Sequence, residues 1–324
     1  MYATFIPHNY KITYKYADET VIEVVDSPYG EEIHVPSILP YQDESSLPLE
    51  KKYAFIGYNY DKEAIAALDL SKINVNRDQT LYAIFKQADV HTLPLDPKYY
   101  EVTRYNDGTV DGYSLSLKLD ITYKGKITLP SYHTANGTTL PITYINASDY
   151  GSSTNGFAHN GGLRNNEITH IFFDTSAGEC KLRGFLPAAF YMCNYNDNPD
   201  KKKLVYIEIP ESVNQIQNWA FGQTNIENFN YINVYQIGES AFAHIQAPSV
   251  REITIGPDVQ YISQSSFDMS DSQVTTLNIG TEEEPSKMSA SNTDNVLFFS
   301  LPRLTNVNIY TTDRNSAVWQ LYGF

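Results

Sequence analysis

Residues 204–221 read LVYIEIPESVNQIQNWAF, and the second half of that stretch sets a frame: Val213, Ile216 three positions on, and Phe221 eight positions after the first. The same frame recurs at Val234, Ile237 and Phe242 (VYQIGESAF), at Val259, Ile262 and Phe267 (VQYISQSSF), and at Leu182, Phe185 and Phe190 (LRGFLPAAF). With an insertion it recurs once more at Ile142, Ile145 and Phe157. Strand-like phrases of the form apolar-x-x-apolar-x-apolar accompany it, beginning at Ile168, Leu204, Ile226, Val250, Val274 and Leu304. The middle spacings are 22, 24 and 24 residues. A unit this short cannot bury its own apolar face, so units must stack and share one core, which predicts a solenoid.

These residues resemble the BspA-type leucine-rich repeat, whose phrase is an L-x-x-I-x-I-P strand, a short turn, then V-x-x-I-x-x-x-A-F. The resemblance covers the chain from Lys124 to the C-terminus and is strongest over 204–280. It is loosest in the first unit and after Thr281, where EEEPSKMSASNTDN replaces the V-x-x-I segment. The closing IYTTDRNSAVWQLYGF fits a C-terminal cap, with Trp319 and Tyr322 covering the last coil.

The first 90 residues carry a different pattern. Ile12, Tyr14 and Tyr16 alternate with polar residues, a polar turn follows, and Val21 to Val25 resumes the alternation, which predicts a hairpin. A further turn at Tyr29 and Gly30 leads to a third extended piece ending at Pro36. With YAFIGYNYD and DQTLYAIF downstream, this order resembles the internalin-B-type B repeat (Listeria–Bacteroides repeat), a small β-grasp-like module. The matching positions are Tyr53, Phe55, Gly57 and Tyr58, then Asp78, Thr80, Leu81, Tyr82, Ala83 and Phe85. Tyr58 and Phe85 stand where that family has Trp, and AIAALDLSKI (64–73) is longer and more helical than its usual connection. The resemblance implies a spacer and binding module without catalysis.

Between the two parts, HTLPLDPKYY (91–100) has the composition of a short semi-rigid linker. The next stretch reads as a hairpin turning at Asn106, Asp107 and Gly108, placed to cover the open end of the solenoid core. The expected architecture is mainly β with short helices and turns. It comprises a β-grasp-like module over 1–90, a linker and hairpin cap over 91–123, and a curved leucine-rich-repeat solenoid with a C-terminal cap over 124–324.

A net charge of −15 over 324 residues, with Lys201 to Lys203 the one basic run, disfavours nucleic acid. No nucleophile elbow, zinc-protease motif, phosphate loop or dinucleotide fingerprint is present, and the seven His residues are scattered, with His159, His170 and His244 beside Phe at turn or strand positions. Acidic runs at Glu31 and Glu32 and at Glu282 to Glu284 lack the contrasting environments that acid–base chemistry needs. Two cysteines, Cys180 and Cys193, are too few for zinc; whether they are bonded stays open, and the family resemblance implies a packed, apolar role for Cys193. The oxygen-rich loop CNYNDNPD (193–200) fits no EF-hand frame and reads as an Asx-rich surface loop. The expectation is a non-enzymatic chain without cofactor or metal.

The surface built by the repeats is the candidate site. In each strand phrase the residues between the apolar positions line the concave face, giving one row of His170, Tyr206, Asn228, Glu252, Thr276 and Asn306. Beside it runs a second row of Phe172, Glu208, Asn230, Thr254, Asn278 and Asn308. Aromatic rings supply contact area at low entropy cost and amides supply adaptable hydrogen bonds, so such a face suits a host surface protein or a glycan. The alternative is an ordinary solvated sheet face. Both family resemblances imply a secreted or surface-displayed bacterial adhesin. The opening MYATFIPHNYK has no charged region followed by an apolar one, and no stretch is long enough for membrane insertion. Either a signal has been removed or the chain reaches its site without one. A second reading is a bacteriophage virion protein with borrowed adhesion modules, held to a virion partner or self-associating.

Overall fold

The computed structural model describes residues 8–36, 38–118, 120–147, 167–191, 204–245, 247–263, 265–270, 272–288 and 299–312. Strands β1 (Asn9–Lys15), β2 (Val21–Pro28), β3 (Lys51–Asn59) and β4 (Gln79–Asp89) form one sheet in the order β2-β1-β4-β3. The β1–β2 and β3–β4 pairs are antiparallel and the central β1–β4 pair is parallel, a β-grasp-like arrangement. The alternation read from the sequence places Ile12, Tyr14, Leu81 and Ala83 on the buried face, with Tyr58 packed 4.6 Å from Tyr14 between ring centroids. Phe55 stands opposite Phe85 in the β3–β4 pair, their centroids 5.8 Å apart, and a bulge follows between Phe55 and Gly57. Gly57 sits at φ +129, and a Cβ there would lie 2.6 Å from that of Ala67, so only glycine fits this bend. The helical character expected for 64–73 reduces to one 3-10 turn at Leu70–Lys72. Three alanines favour a helix, but Leu68 and Leu70 pack against the module core, and Leu68 N–H bonds to the Tyr58 carbonyl instead. The third extended piece is reduced to a single bridge between Glu32 and Asn74.

Next come the hairpin strands β5 (Tyr100–Asn106) and β6 (Asp111–Leu117), then β7 (Lys124–Leu129), β8 (Tyr132–Ala135) and β9 (Thr138–Ile145). From here the chain alternates between two ladders. The first contains β10 (Glu167–Phe173), β12 (Tyr206–Ile207), β14 (Tyr231–Ile232), β16 (Glu252–Ile255), β19 (Thr276–Ile279) and β21 (Asn306–Ile309). The second contains β11 (Gly184–Phe185), β13 (Gln215–Ile216), β15 (Gln236–Ile237) and β17 (Tyr261–Ile262), while β18 (Phe267–Asp268) pairs β20 (Phe299–Ser300). The second ladder is continuous, in the order β17-β15-β13-β11-β9-β6-β5, so the hairpin joins the end of the coil sheet through the parallel β6–β9 pair. Its tip is fixed by Asp107, whose carboxylate accepts from the Thr109 and Val110 N–H groups (both 2.9 Å) and the Tyr144 hydroxyl (2.8 Å), and faces Arg183 at 3.0 Å.

The first ladder is interrupted, forming one sheet β12-β10-β7 and another β14-β16-β19-β21. The cause is in the residues: Phe229 and Ile232, both buried, are three apart, whereas their counterparts Ile253 and Ile255 are two apart. The extra residue puts Tyr231 opposite Thr254, and the Asn228 side chain bridges the gap, donating to the Ile207 carbonyl (2.7 Å) and accepting from its N–H (3.1 Å). Strands of two residues suffice elsewhere because each coil hydrogen-bonds to the last, as in Gly238 N–H to Ile216 (2.7 Å) and Gly280 N–H to Ile255 (2.8 Å).

The recurrent Phe of the frame forms the spine of the core. Phe190 stacks 6.2 Å from Phe221, Phe221 lies 5.5 Å from Phe242 and Phe242 lies 5.1 Å from Phe267, all fully buried, with Phe185, at the middle position of the first frame, filling in 4.9 Å from Phe221. Two residues before each Phe of the turns, Ala188, Trp219, Ser240 and Ser265 adopt φ between 54 and 59. A left-handed L-residue costs about 1–2 kcal/mol, offset by a third set of backbone bonds: Ala188 N–H to Asn218, Trp219 N–H to Glu239, and Phe221 N–H to Ala241. Cys180 is a buried free thiol. The proposed caps at Trp319 and Tyr322, Phe157, His159, Lys201 to Lys203, Cys193 and the loop at 193–200 lie outside the described residues.

Removing one ring from the spine should be far more damaging than relaxing one turn. Phe242→Ala is expected to lower stability by about 3–5 kcal/mol in urea unfolding, whereas Ser265→Gly should be neutral or stabilising by up to about 1 kcal/mol. A Phe242→Ala loss below about 1 kcal/mol would contradict the role of the spine.

Candidate binding face

In β16 and β19 the apolar residues Ile253, Ile255, Leu277 and Ile279 point into the core, and in β21 the half-buried Ile309 packs against it, so their neighbours stand on the outer face. The register aligns Glu252 with Thr276 and Asn306 in one row and Thr254 with Asn278 and Asn308 in the next. Asn278 is the hub: its amide donates to Glu252 (2.5 Å) and Thr254 (3.1 Å), and its carbonyl accepts from Asn308 (2.8 Å). Glu252, Asn306 and Asn308 remain exposed, and Tyr231, in register with Thr254, is 46% exposed. This half of the face offers amides, hydroxyls, a carboxylate and one open aromatic ring on a strand scaffold fixed from below. Asn228 and Asn230 do not extend the two rows. Asn228 completes the backbone bonding of Ile207, and Asn230 gives its carbonyl to the Thr254 N–H (2.7 Å) while Tyr231 takes the expected place opposite Thr254.

The other half differs from the expected open aromatic surface. His170 pairs with Tyr206 across the ladder, and the Phe172 ring lies 5.2 Å from Tyr206 and 6.1 Å from His170. Phe172, however, is only 3% exposed, because His91, at the turn following β4, packs edge-on 5.7 Å from it. His91 Nε2 also stands 3.1 Å from Glu208 Oε1, while Glu208 Oε2 accepts from the Phe173 N–H (2.8 Å). Phe172 and Glu208 are thus contacts within the chain rather than available ligand groups. His170 keeps its Nδ1 2.9 Å from the Thr169 hydroxyl, and burial, reinforced by the Lys126 charge, pushes its pKa down to about 4.

The covering is completed by polar groups that the sequence does not single out. Lys52, 3% exposed, donates to the Leu93 carbonyl (2.8 Å) and the Thr128 hydroxyl (2.5 Å), joining β3 to β7. Glu44, also buried, accepts from the N–H groups of Tyr53 and Lys126 (both 2.8 Å), and Lys126 Nζ donates to the carbonyls of Pro48 and Lys51 (both 2.6 Å). The stretch read as a linker pairs directly with the first coil, through Leu95 N–H to Thr128 (2.9 Å) and Thr175 N–H to His91 (3.0 Å). Burial pushes Glu44 up and brings Lys52 down to about 8, while the attraction between nearby opposite charges opposes both shifts.

Because the folded pKa of His170 is depressed, the neutral ring favours folding above the unfolded value of 6.5, and that contribution is lost as pH falls towards 4. Its imidazole NMR signals should therefore stay those of the neutral ring at pH 5.5 and shift only near pH 4. Titration of that ring at about 6.5 would show that it is not enclosed.

Residues 187–296 match the BspA type leucine rich repeat region in six copies. No curated protein matches the chain. Among solved structures, the chain is similar to a leucine rich repeat protein of T. pallidum at 14% identity, covering 68% of this chain and 84% of that one with a TM-score of 0.43. It is also similar to the pneumococcal vaccine antigen PcpA (14% identity, 64% and 46% covered, TM-score 0.36). A third is a leucine-rich repeat protein from Bacteroides ovatus ATCC 8483 (12% identity, 67% and 53% covered, TM-score 0.33). The chain spans about half the length of these last two. Phe190, Phe221, Phe242 and Phe267 all lie within the residues that match the BspA-type leucine-rich repeat.

Proposed function

We infer that the chain is a non-enzymatic binding protein that holds a host surface protein or glycan on the C-terminal half of its strand face, at a bacterial cell surface. The observation that carries this reading is the contrast between the two halves. Around Phe172 and Glu208 the chain covers its own face, whereas Tyr231, Glu252, Asn306 and Asn308 stand exposed in fixed register. A rigid row of amides and hydroxyls can bond an extended polar ligand with little ordering cost, and Tyr231 supplies the ring against which an apolar or sugar face packs. Thr254, Thr276 and Asn278 brace that row. His170 and Tyr206 belong to its covered margin.

The β2-β1-β4-β3 sheet supports reading the first 90 residues as a B-repeat-like module, with the following hairpin acting as the cap of the solenoid. Such a module positions the binding face and contributes no chemistry of its own. Support for a non-catalytic role comes from the repeat match and from a face of amides and hydroxyls bonded to one another, with the Glu252 carboxylate bonded into the same row.

Immobilised mucin, deglycosylated mucin and fibronectin provide the test. The full chain should be retained by at least one of them, and a Tyr231→Ala, Glu252→Lys, Asn306→Lys variant with unchanged circular dichroism should bind at least about tenfold more weakly, a loss of about 1.4 kcal/mol or more. Sensitivity to deglycosylation separates a glycan from a protein ligand. A variant that binds as well as the parent, or a chain retained by none of the three, contradicts the reading.

A further inference from the structure

From Tyr100 onward, two large apolar side chains stand exposed among the described residues, Tyr231 at 46% and Tyr235 at 50%. Both belong to one coil. In YINVYQ (231–236) the buried Ile232 and Val234 point inward, so the alternation turns Tyr231, Asn233 and Tyr235 outward. Tyr231 lies on the first ladder opposite Thr254, and Tyr235 lies just before β15 on the second, edge-on 5.3 Å from Tyr261. The corner between them is fixed. Asn233 donates to the Asp258 carboxylate (3.0 Å) and accepts from the Asp258 N–H (2.8 Å), and a Cβ on Gly256 would lie 2.5 Å from Asn233 Oδ1. Two open rings thus stand on a backbone that needs no further ordering when a partner arrives.

Charge decides what this patch accepts. Residues 226–312 hold ten carboxylates against three basic side chains, Arg251, Lys287 and Arg303. Lys287 neutralises Asp258 at 2.6 Å. Glu252, which is exposed, accepts from the Asn278 amide, and the exposed Glu284 has no cation partner among the described residues. Burial first, then the charges of Glu284 and Asp258, hold the Tyr231 phenol above its ordinary pKa, so these carboxylates bear on the ring itself. Anionic groups are repelled at such a corner. A neutral sugar gains from the rings alone, whereas a guanidinium gains from the rings and the carboxylates together, stacking on one and bonding the other.

We propose that the corner formed by Tyr231 and Tyr235 docks an extended, arginine-bearing segment of a partner protein, its guanidinium groups lying on the two rings and facing Glu252 and Glu284. An extended segment sets alternate side chains on one face, which lets successive arginines reach rings on neighbouring ladders. This rests on the reading that the C-terminal coils hold a ligand, and it narrows that ligand from a protein or a glycan to a basic stretch of protein.

The test is fluorescence anisotropy of the full chain with a labelled peptide of alternating Arg and Ser, and with alternating Gln and Ser as the uncharged control. At physiological ionic strength the Arg peptide should bind saturably at one site, about tenfold or more tighter than the control. Tyr235→Ala should weaken it by about threefold or more, and Glu284→Lys by about tenfold. Glu101→Lys, the same charge change on β5, should alter it by less than about twofold, because distant surface charges are screened. Circular dichroism checks that each variant is folded, and Tyr235→Gln serves as a second variant should Tyr235→Ala fail that check. Equal losses from Glu101→Lys and Glu284→Lys would show attraction to the net charge alone and overturn the proposal, as would full binding by folded Tyr235 variants. If the Arg peptide does not bind while mucin, deglycosylated mucin or fibronectin retains the chain, this proposal alone fails and the coils hold a ligand of another class. If neither the peptide nor any of the three binds, the underlying reading fails with it.

Discussion

The contact on which the rest of the structure depends is the ring-to-ring packing of Phe190, Phe221, Phe242 and Phe267, one Phe of each coil against that of the next. A coil of 22 to 24 residues has two strands of only two to four residues and no helix, so it holds no core of its own. The Phe supplies a large, fully buried ring in each turn, and the residue two positions before it lies in the left-handed region. Local strain and inter-coil packing are therefore two sides of one arrangement. The strand rows sit in register because the spine and the backbone ladders beneath them do.

Register alone does not make a binding surface. The same ladder is covered at one end and open at the other, and the difference arises from the module that precedes it. His91, Lys52 and Glu44 tie that module to the first coils through groups buried or half-buried at the join. Breaking one partner of such a group leaves the other unsatisfied at low dielectric, which makes the join geometrically specific. It also closes off the aromatic cluster of His170, Phe172 and Tyr206 and leaves the amide-rich coils as the accessible part.

The coils were legible in the sequence because their signal is local and repeated: Val213, Ile216 and Phe221 lie within nine residues, and the frame returns several times. The parallel central pair of the module was not read from the sequence, since the alternation in β1 and β2 points only to a hairpin and says nothing of which distant strand lies on its other side. The shift at Asn228 to Tyr231 was written in the spacing of Phe229 and Ile232, but a frame fitted to the other coils hides a single added residue. The covering of Phe172 and Glu208 left no such trace. It depends on contacts between residues 117 apart (His91 and Glu208), 76 apart (Lys52 and Thr128) and 82 apart (Glu44 and Lys126). No periodicity records which surface lysine or histidine will meet a distant strand. The left-handed turns were hidden for a related reason, since Ala188, Trp219, Ser240 and Ser265 are not the glycines that usually announce such a backbone.

Hydroxyl-radical footprinting of the full chain, read at single residues by mass spectrometry, tests most directly whether the module divides the strand face into a covered and an open half. The account predicts rapid modification of Tyr231 and protection of Phe172, with His91 intermediate, in keeping with their 46%, 3% and partial exposure. Modification of Phe172 at a rate comparable to that of Tyr231 would mean that the module does not cover the first coils, and would contradict the account.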